Sequence, residues 1–120
     1  MKGILILAHG SREKSTENTL KEIIAMLRNE LKDYLIESAY LQFSEVNLEV
    51  GLDRLVACGA DDIKVVPYFL FDGIHIREDI PGEIEKYLSD KNSLKISMGK
   101  TLGADPRLAM ILADRVREAL

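Results

Sequence analysis

The chain has 120 residues, 47% of them hydrophobic and 30% charged, with a formal net charge of -4 and one cysteine, a size that accommodates one core and one domain, 1–120. No apolar run approaches the roughly 18 residues of a membrane-spanning helix, and the acidic balance without a Lys/Arg cluster excludes a basic nucleic-acid face. The lone Cys58 excludes an intrachain disulfide and a multi-thiolate metal cage, and is expected as a small buried residue in a cytoplasmic protein whose partner is a small molecule.

Gly3 to Ala8 is an apolar run suited to a strand covered on both faces, and the polar residues that follow it exclude a signal-peptide reading. Thr16 to Leu31 is an amphipathic helix, with Leu20, Ile23, Ile24, Leu27 and Leu31 on one face. Leu35 to Leu41 carries Glu37 and Ser38 and reads as a peripheral strand. A second helix follows Ser44 as N-cap, with Glu45 in its first turn, turns Leu48, Leu52, Leu55 and Val56 inward and stops at Gly59. Ile63 to Pro67 is a second central strand. A third helix is predicted from about Asp79–Pro81 with Ile80, Ile84, Tyr87 and Leu88 inward. Leu94 to Met98 alternates like an edge strand. Asp105-Pro106 pairs a capping carboxylate with a first-turn proline, and the last helix runs almost to Leu120.

Four strand-then-helix units predict an α/β fold in three layers, with a four-stranded parallel sheet. Right-handed crossovers and the burial pattern give the flavodoxin-like order 2-1-3-4, with a ligand crevice beyond the carboxyl ends of strands one and three. The only two histidines, His9 after strand one and His75 in the loop after strand three, both fall at that crevice. Neutral imidazole binds cobalt, nickel, iron and zinc, and its ordinary pKa near 6.5 lets it accept a proton. A single histidine is more often a hydrogen-bonded structural residue than a ligand; two at one switch point make a ligand set as good a reading as the structural one. Glu45 ends on the same edge, although an acidic first-turn residue also complements a helix dipole. Gly10 belongs to neither a P-loop nor a Gly-x-Gly-x-x-Gly fingerprint, so nothing suggests a nucleotide.

His9-Gly10-Ser11-Arg12, the run Pro67-Tyr68-Phe69-Leu70-Phe71-Asp72-Gly73-Ile74-His75 leading to Asp79-Ile80-Pro81, and Leu102-Gly103-Ala104-Asp105-Pro106 with Arg115 together resemble the small CbiX-type sirohydrochlorin chelatases, over essentially the whole chain. The resemblance implies half of a class II chelatase fold, completed as a homodimer, and ATP-independent insertion of cobalt or nickel into sirohydrochlorin for cobalamin or the nickel tetrapyrrole of methanogenesis. The metal is then a substrate and no cofactor is needed. The resemblance makes His9 a metal ligand and proton acceptor, His75 the second ligand and Glu45 a neighbour of the tetrapyrrole, with Leu70, Phe71, Asp72, Gly73, Ile74 and His75 lining the macrocycle. Arg12 and Arg77, with the amino ends of helices one and three, are the candidates for holding the substrate's carboxylates. Val46-Asn47 stands where relatives often carry proline, and the histidine-rich tract of some nickel-inserting relatives is absent, which favours cobalt. The other readings are iron insertion for siroheme, a tetrapyrrole or metal carrier without turnover, and a flavodoxin-like regulatory module, for which the chain lacks an acidic cluster after strand one.

Overall fold

The apolar runs pair into one parallel sheet in the order β2-β1-β3-β4, as the burial pattern predicts. In this computed structural model, which describes residues 1–74 and 78–120, strands β1 (Lys2–Ala8), β2 (Leu35–Tyr40), β3 (Asp62–Pro67) and β4 (Lys95–Met98) alternate with helices α1 (Lys14–Glu30), α2 (Leu48–Ala57), α3 (Ile74–Leu88) and α4 (Pro106–Ala119). Leu5 stands opposite Glu37 of β2 and Val65 of β3, so β1 is hydrogen-bonded on both sides.

Alternation along β1 divides the core into two layers. Leu5 and Leu7 face α2 and α3 and pack with Leu52, Leu55, Ile63, Val65, Ile80 and Ile84. Ile6 and Ala8 face α1 and pack with Leu20, Ile24, Ile36 and Tyr40. Full burial of each Leu or Ile contributes about 1.5–3 kcal/mol, so these layers fix where the strand ends project. Tyr87 ties α3 to α2 by donating its hydroxyl to Asp53 at 2.6 Å.

Several local expectations are corrected. Helix α3 begins at Ile74, not near Asp79, and Pro81 stands inside it. Helix α2 begins at Leu48: the Asn47 side chain, not that of Ser44, caps it by accepting from the Val50 N–H at 2.9 Å. Ser44 instead closes a turn by accepting from the Val46 N–H at 3.1 Å, which leaves Glu45 exposed in the connecting loop rather than in a helical first turn. Cys58 is exposed, not buried, because it occupies the C-cap of α2. Ile23 and Val56 lie at the margins of their helical stripes and are also exposed. Gly59 does take the left-handed conformation, at φ 101°, and the Asp105 side chain caps α4 by accepting from the Arg107 N–H at 2.9 Å. None of the residues of α4 is buried.

Candidate functional site

The edge formed by the carboxyl ends of β1 and β3 is built by backbone pairing that continues past the strands. The Leu41 N–H donates to the Ala8 carbonyl at 2.9 Å, Gln42 N–H to the His9 carbonyl at 3.0 Å and Tyr68 N–H to the Leu7 carbonyl at 2.7 Å. His9 is thereby held between the exits of β2 and β3. Gly10 lets the chain turn away at once: its φ is 87°, and a Cβ there would run into the Gln42 carbonyl oxygen. The left-handed conformation and the close approach both require glycine.

The exposed His9 imidazole packs edge-on against Phe69, with ring centroids 4.3 Å apart and planes at 70°. Phe69 is itself buried in the layer beneath α2 and α3, so the ring is a fixed wall. His9, Leu41 and Gln42 form one side of a cleft of about 740 Å³, whose other side is α3 from Glu78 to Lys86. Among the described residues of its lining the charged ones are Glu78, Asp79, Glu83 and Lys86, an acidic excess on this wall that attracts cations.

The rim is apolar. Leu70, Phe71 and Ile74 are exposed, Phe71 to 79%, and so are Leu41, Phe43 and Tyr68. Large apolar side chains gathered in water at one edge mark an interaction surface. Phe43, Tyr68 and Phe69 were not singled out by sequence reasoning; the signal was the run Tyr68 to Phe71, too bulky to bury entirely at a strand exit. Asp72 accepts a hydrogen bond from the Thr101 hydroxyl at 2.9 Å, and Gly73 is the N-cap residue of α3.

Glu45 is on the loop between β2 and α2 and is absent from the lining of the His9 cleft. The Arg12 guanidinium lies over the Phe43 ring, 4.9 Å from its centroid, which joins the loops after β1 and β2. The amino end of α1 carries no side-chain cap hydrogen bond, and a helix amino end without a cap is open to anions. The expectations for His75 and Arg77 lie outside the described residues. Among the described residues no group of three His, Cys, Asp or Glu side chains is arranged to hold a metal.

The sequence pattern of the CbiX family matches residues 3–119. The chain belongs to the CbiX family. Among its relatives, the sirohydrochlorin cobaltochelatase of Sulfurisphaera tokodaii is 31% identical over all of this chain and 95% of its own length. The sirohydrochlorin ferrochelatase of Bacillus subtilis is 30% identical over 96% of this chain, which spans only 44% of that protein. The crystal structure of the chelatase SirB from Bacillus subtilis subspecies spizizenii in complex with cobalt superposes with a TM-score of 0.89 at 30% identity, over 98% of this chain and 50% of that one. The CbiX protein of Marinobacter aquaeolei superposes with a TM-score of 0.78 at 28% identity, over 99% and 97% of the two chains. This CbiX chain is thus a sirohydrochlorin chelatase of tetrapyrrole biosynthesis, with a fold that occurs in relatives both of its own length and of about twice that length. No helix among its described residues is long and apolar enough to cross a membrane.

Proposed function

We propose that this chelatase inserts Co²⁺ into sirohydrochlorin without ATP or a resident cofactor, working as a homodimer. His9 carries the reading: an imidazole at the sheet's switch point, braced by Phe69, beside a cleft that attracts cations and a rim that suits a flat macrocycle. Insertion exchanges two pyrrole N–H protons for one divalent cation, so the site must orient the ring, hold the cation and take up protons. His9 has the chemistry for the last two tasks. It binds the metal through a neutral nitrogen, and once the metal passes to the ring it accepts a proton. His75 is proposed as its fellow ligand, Glu45 as relay for the second proton, and residues 70–74 as the bed of the macrocycle.

Cobalt is favoured over iron by length. Relatives that this chain spans almost completely, from Sulfurisphaera tokodaii and Methanosarcina acetivorans, are cobaltochelatases, whereas the relatives more than twice as long include both ferrochelatases, from Bacillus subtilis and Priestia megaterium, and a cobaltochelatase of Priestia megaterium. An anaerobic absorption assay of sirohydrochlorin with Co²⁺, Ni²⁺ and Fe²⁺ in turn tests the reading. Cobalt insertion well above the uncatalysed rate, abolished by His9→Ala in a protein that remains folded, is expected. Sirohydrochlorin bound with no spectral change on adding any of the metals would make the protein a carrier, and fastest turnover with iron would make it a ferrochelatase.

A further inference from the structure

Beside the His9 cleft, on the other side of the amino-terminal part of α3, lies a second hollow of about 560 Å³ at the carboxyl ends of β3 and β4. Pro67, Pro81, Met98 and Leu102 form its apolar walls, and Asp72, Lys100 and Thr101 are its polar groups. We propose that this hollow is a subsite for a peripheral carboxylate of the macrocycle, and that the Lys100 ammonium receives it; the inference rests on the tetrapyrrole reading above.

Three observations carry it. The first is charge. Sirohydrochlorin is a polycarboxylate, and among the described residues of the His9 cleft Glu78 and Glu83 outweigh the single ammonium of Lys86, so this wall of the cleft repels carboxylates as it attracts metal. Among the described residues of the second hollow Asp72, which accepts from the Thr101 hydroxyl at 2.9 Å, is the one carboxylate and is balanced by Lys100, so this hollow lacks the acidic excess of the cleft. Lys100 makes no ion pair or hydrogen bond with any described residue of the chain, so its three donors are open to a ligand.

The second is rigidity. The loop bearing Lys100 is stitched to β3 and to the loop after it: Gly99 N–H donates to the Val65 carbonyl at 2.8 Å, Leu102 N–H to Phe69 at 2.8 Å and Gly103 N–H to Leu70 at 3.1 Å. The backbone that carries Lys100 is thus ordered before the ligand arrives, which lowers the ordering cost of binding to that of the lysine side chain alone. The third is continuity. Phe69 and Leu70 anchor this loop through their carbonyls, Phe69 is also the ring against His9, and Leu70 belongs to the apolar rim. A flat ring lying on the rim therefore has its metal-accepting centre toward His9 and an edge toward Lys100.

The test compares wild type with Lys100→Ala, Lys100→Arg and, as a charge control on the exposed face of α1, Lys21→Ala. Metal-free binding of sirohydrochlorin by fluorescence titration and cobalt insertion by absorbance are both measured across a range of salt. Lys100→Ala should raise the Kd and KM for sirohydrochlorin about three- to tenfold with kcat little changed. It should also flatten the salt dependence of kcat/KM, while Lys100→Arg keeps most of the affinity and Lys21→Ala matches wild type. Unchanged Kd and salt dependence in Lys100→Ala, in a series whose wild type inserts cobalt, overturns the subsite and leaves the chelatase reading standing. Wild type that binds the macrocycle through Lys100 but inserts no metal does the reverse, and wild type that binds no sirohydrochlorin overturns both.

Discussion

The His9 imidazole meets the Phe69 ring edge-on at a centroid separation of 4.3 Å, and Phe69 is only 8% exposed. The contact transfers the rigidity of the core to a side chain that otherwise stands in solvent. Replacing Phe69 by Leu keeps apolar bulk beneath α3 but removes the flat wall, so His9 gains rotamer freedom. The expected outcome is a loss of about 1–1.5 kcal/mol of stability, typical of a core swap that nearly conserves volume. A several-fold fall in the kcat of metal insertion should accompany it, at little change in KM for sirohydrochlorin. An unaltered kcat in a folded Phe69→Leu protein would show that the ring does not position the imidazole.

Gly10 and Gly59 share a left-handed backbone, at φ 87° and 101°, but differ in surroundings. A Cβ on Gly59 meets nothing within 4 Å, whereas one on Gly10 meets the Gln42 carbonyl. Gly59→Ala should therefore cost only the conformational strain of about 1–2 kcal/mol and leave insertion intact. Gly10→Ala must also part the exits of β1 and β2, so it should lower the melting temperature further and impair turnover. Equal losses in the two variants, read by thermal melts and the absorption assay, would contradict this account.

The strand order was legible because burial is asymmetric along this sequence: the Gly3–Ala8 run has no polar side chain to expose, while Glu37, Ser38, Lys95 and Ser97 mark strands with a wet face. What misled was chemistry that serves two local purposes. Ser44 and Asn47 are both N-cap residue types, and both bind a nearby backbone N–H; only the path of the chain decides which of them opens α2, and Glu45 moved into a loop with that choice. Pro81 reads as a first-turn proline, yet α3 starts before it, so the β3–α3 connection is shorter than expected. His9 was visible as one of two histidines at a switch point. Its brace by Phe69 and the open ammonium of Lys100 depend on loops brought together by long-range backbone hydrogen bonds, which no local pattern encodes.

Tyr40 is 3% exposed, packed beneath α1 with Ile6, Leu20 and Ile24, and its hydroxyl oxygen is buried without a hydrogen bond of ordinary geometry. Burial raises its pKa above the usual tyrosine value; Ser38 acts in the opposite sense, and the Glu17 charge adds to the rise. An unmet buried hydroxyl costs about 1–3 kcal/mol. Tyr40→Phe should therefore leave stability unchanged or raise it by about 1 kcal/mol in a denaturant titration, where most large core changes destabilise. A loss of 2 kcal/mol or more would mean that the hydroxyl has a partner.

Helix α4 carries an apolar surface without a place in the core. Leu108, Ile111, Leu112 and Val116 recur at the spacing of one helical face. Ile111, Leu112 and Val116 are 51–66% exposed, Leu120 extends the stripe beyond the helix, and Met110 and Leu102 are exposed on its flanks. Seven such side chains can cover roughly 600–700 Å² on each protomer, about 1,200–1,400 Å² for a symmetric pair, at the lower end of stable interfaces. A second copy, as in the homodimer proposed above, is the occupant tested. The charges of α4 do not oppose the pairing, since Arg115 bridges Glu118 at 3.0 Å and Arg117 bridges Asp114 at 3.2 Å within the helix. If the proposed homodimer pairs through α4, placing carboxylates in the stripe, as Ile111→Asp with Val116→Asp, should convert it to a monomer in sedimentation analysis, with far-ultraviolet dichroism showing the sheet intact. The same double change should be nearly neutral for core stability because none of these residues is buried within the protomer. A dimer that survives it would have to form elsewhere on the molecule, and α4 would then need a different explanation.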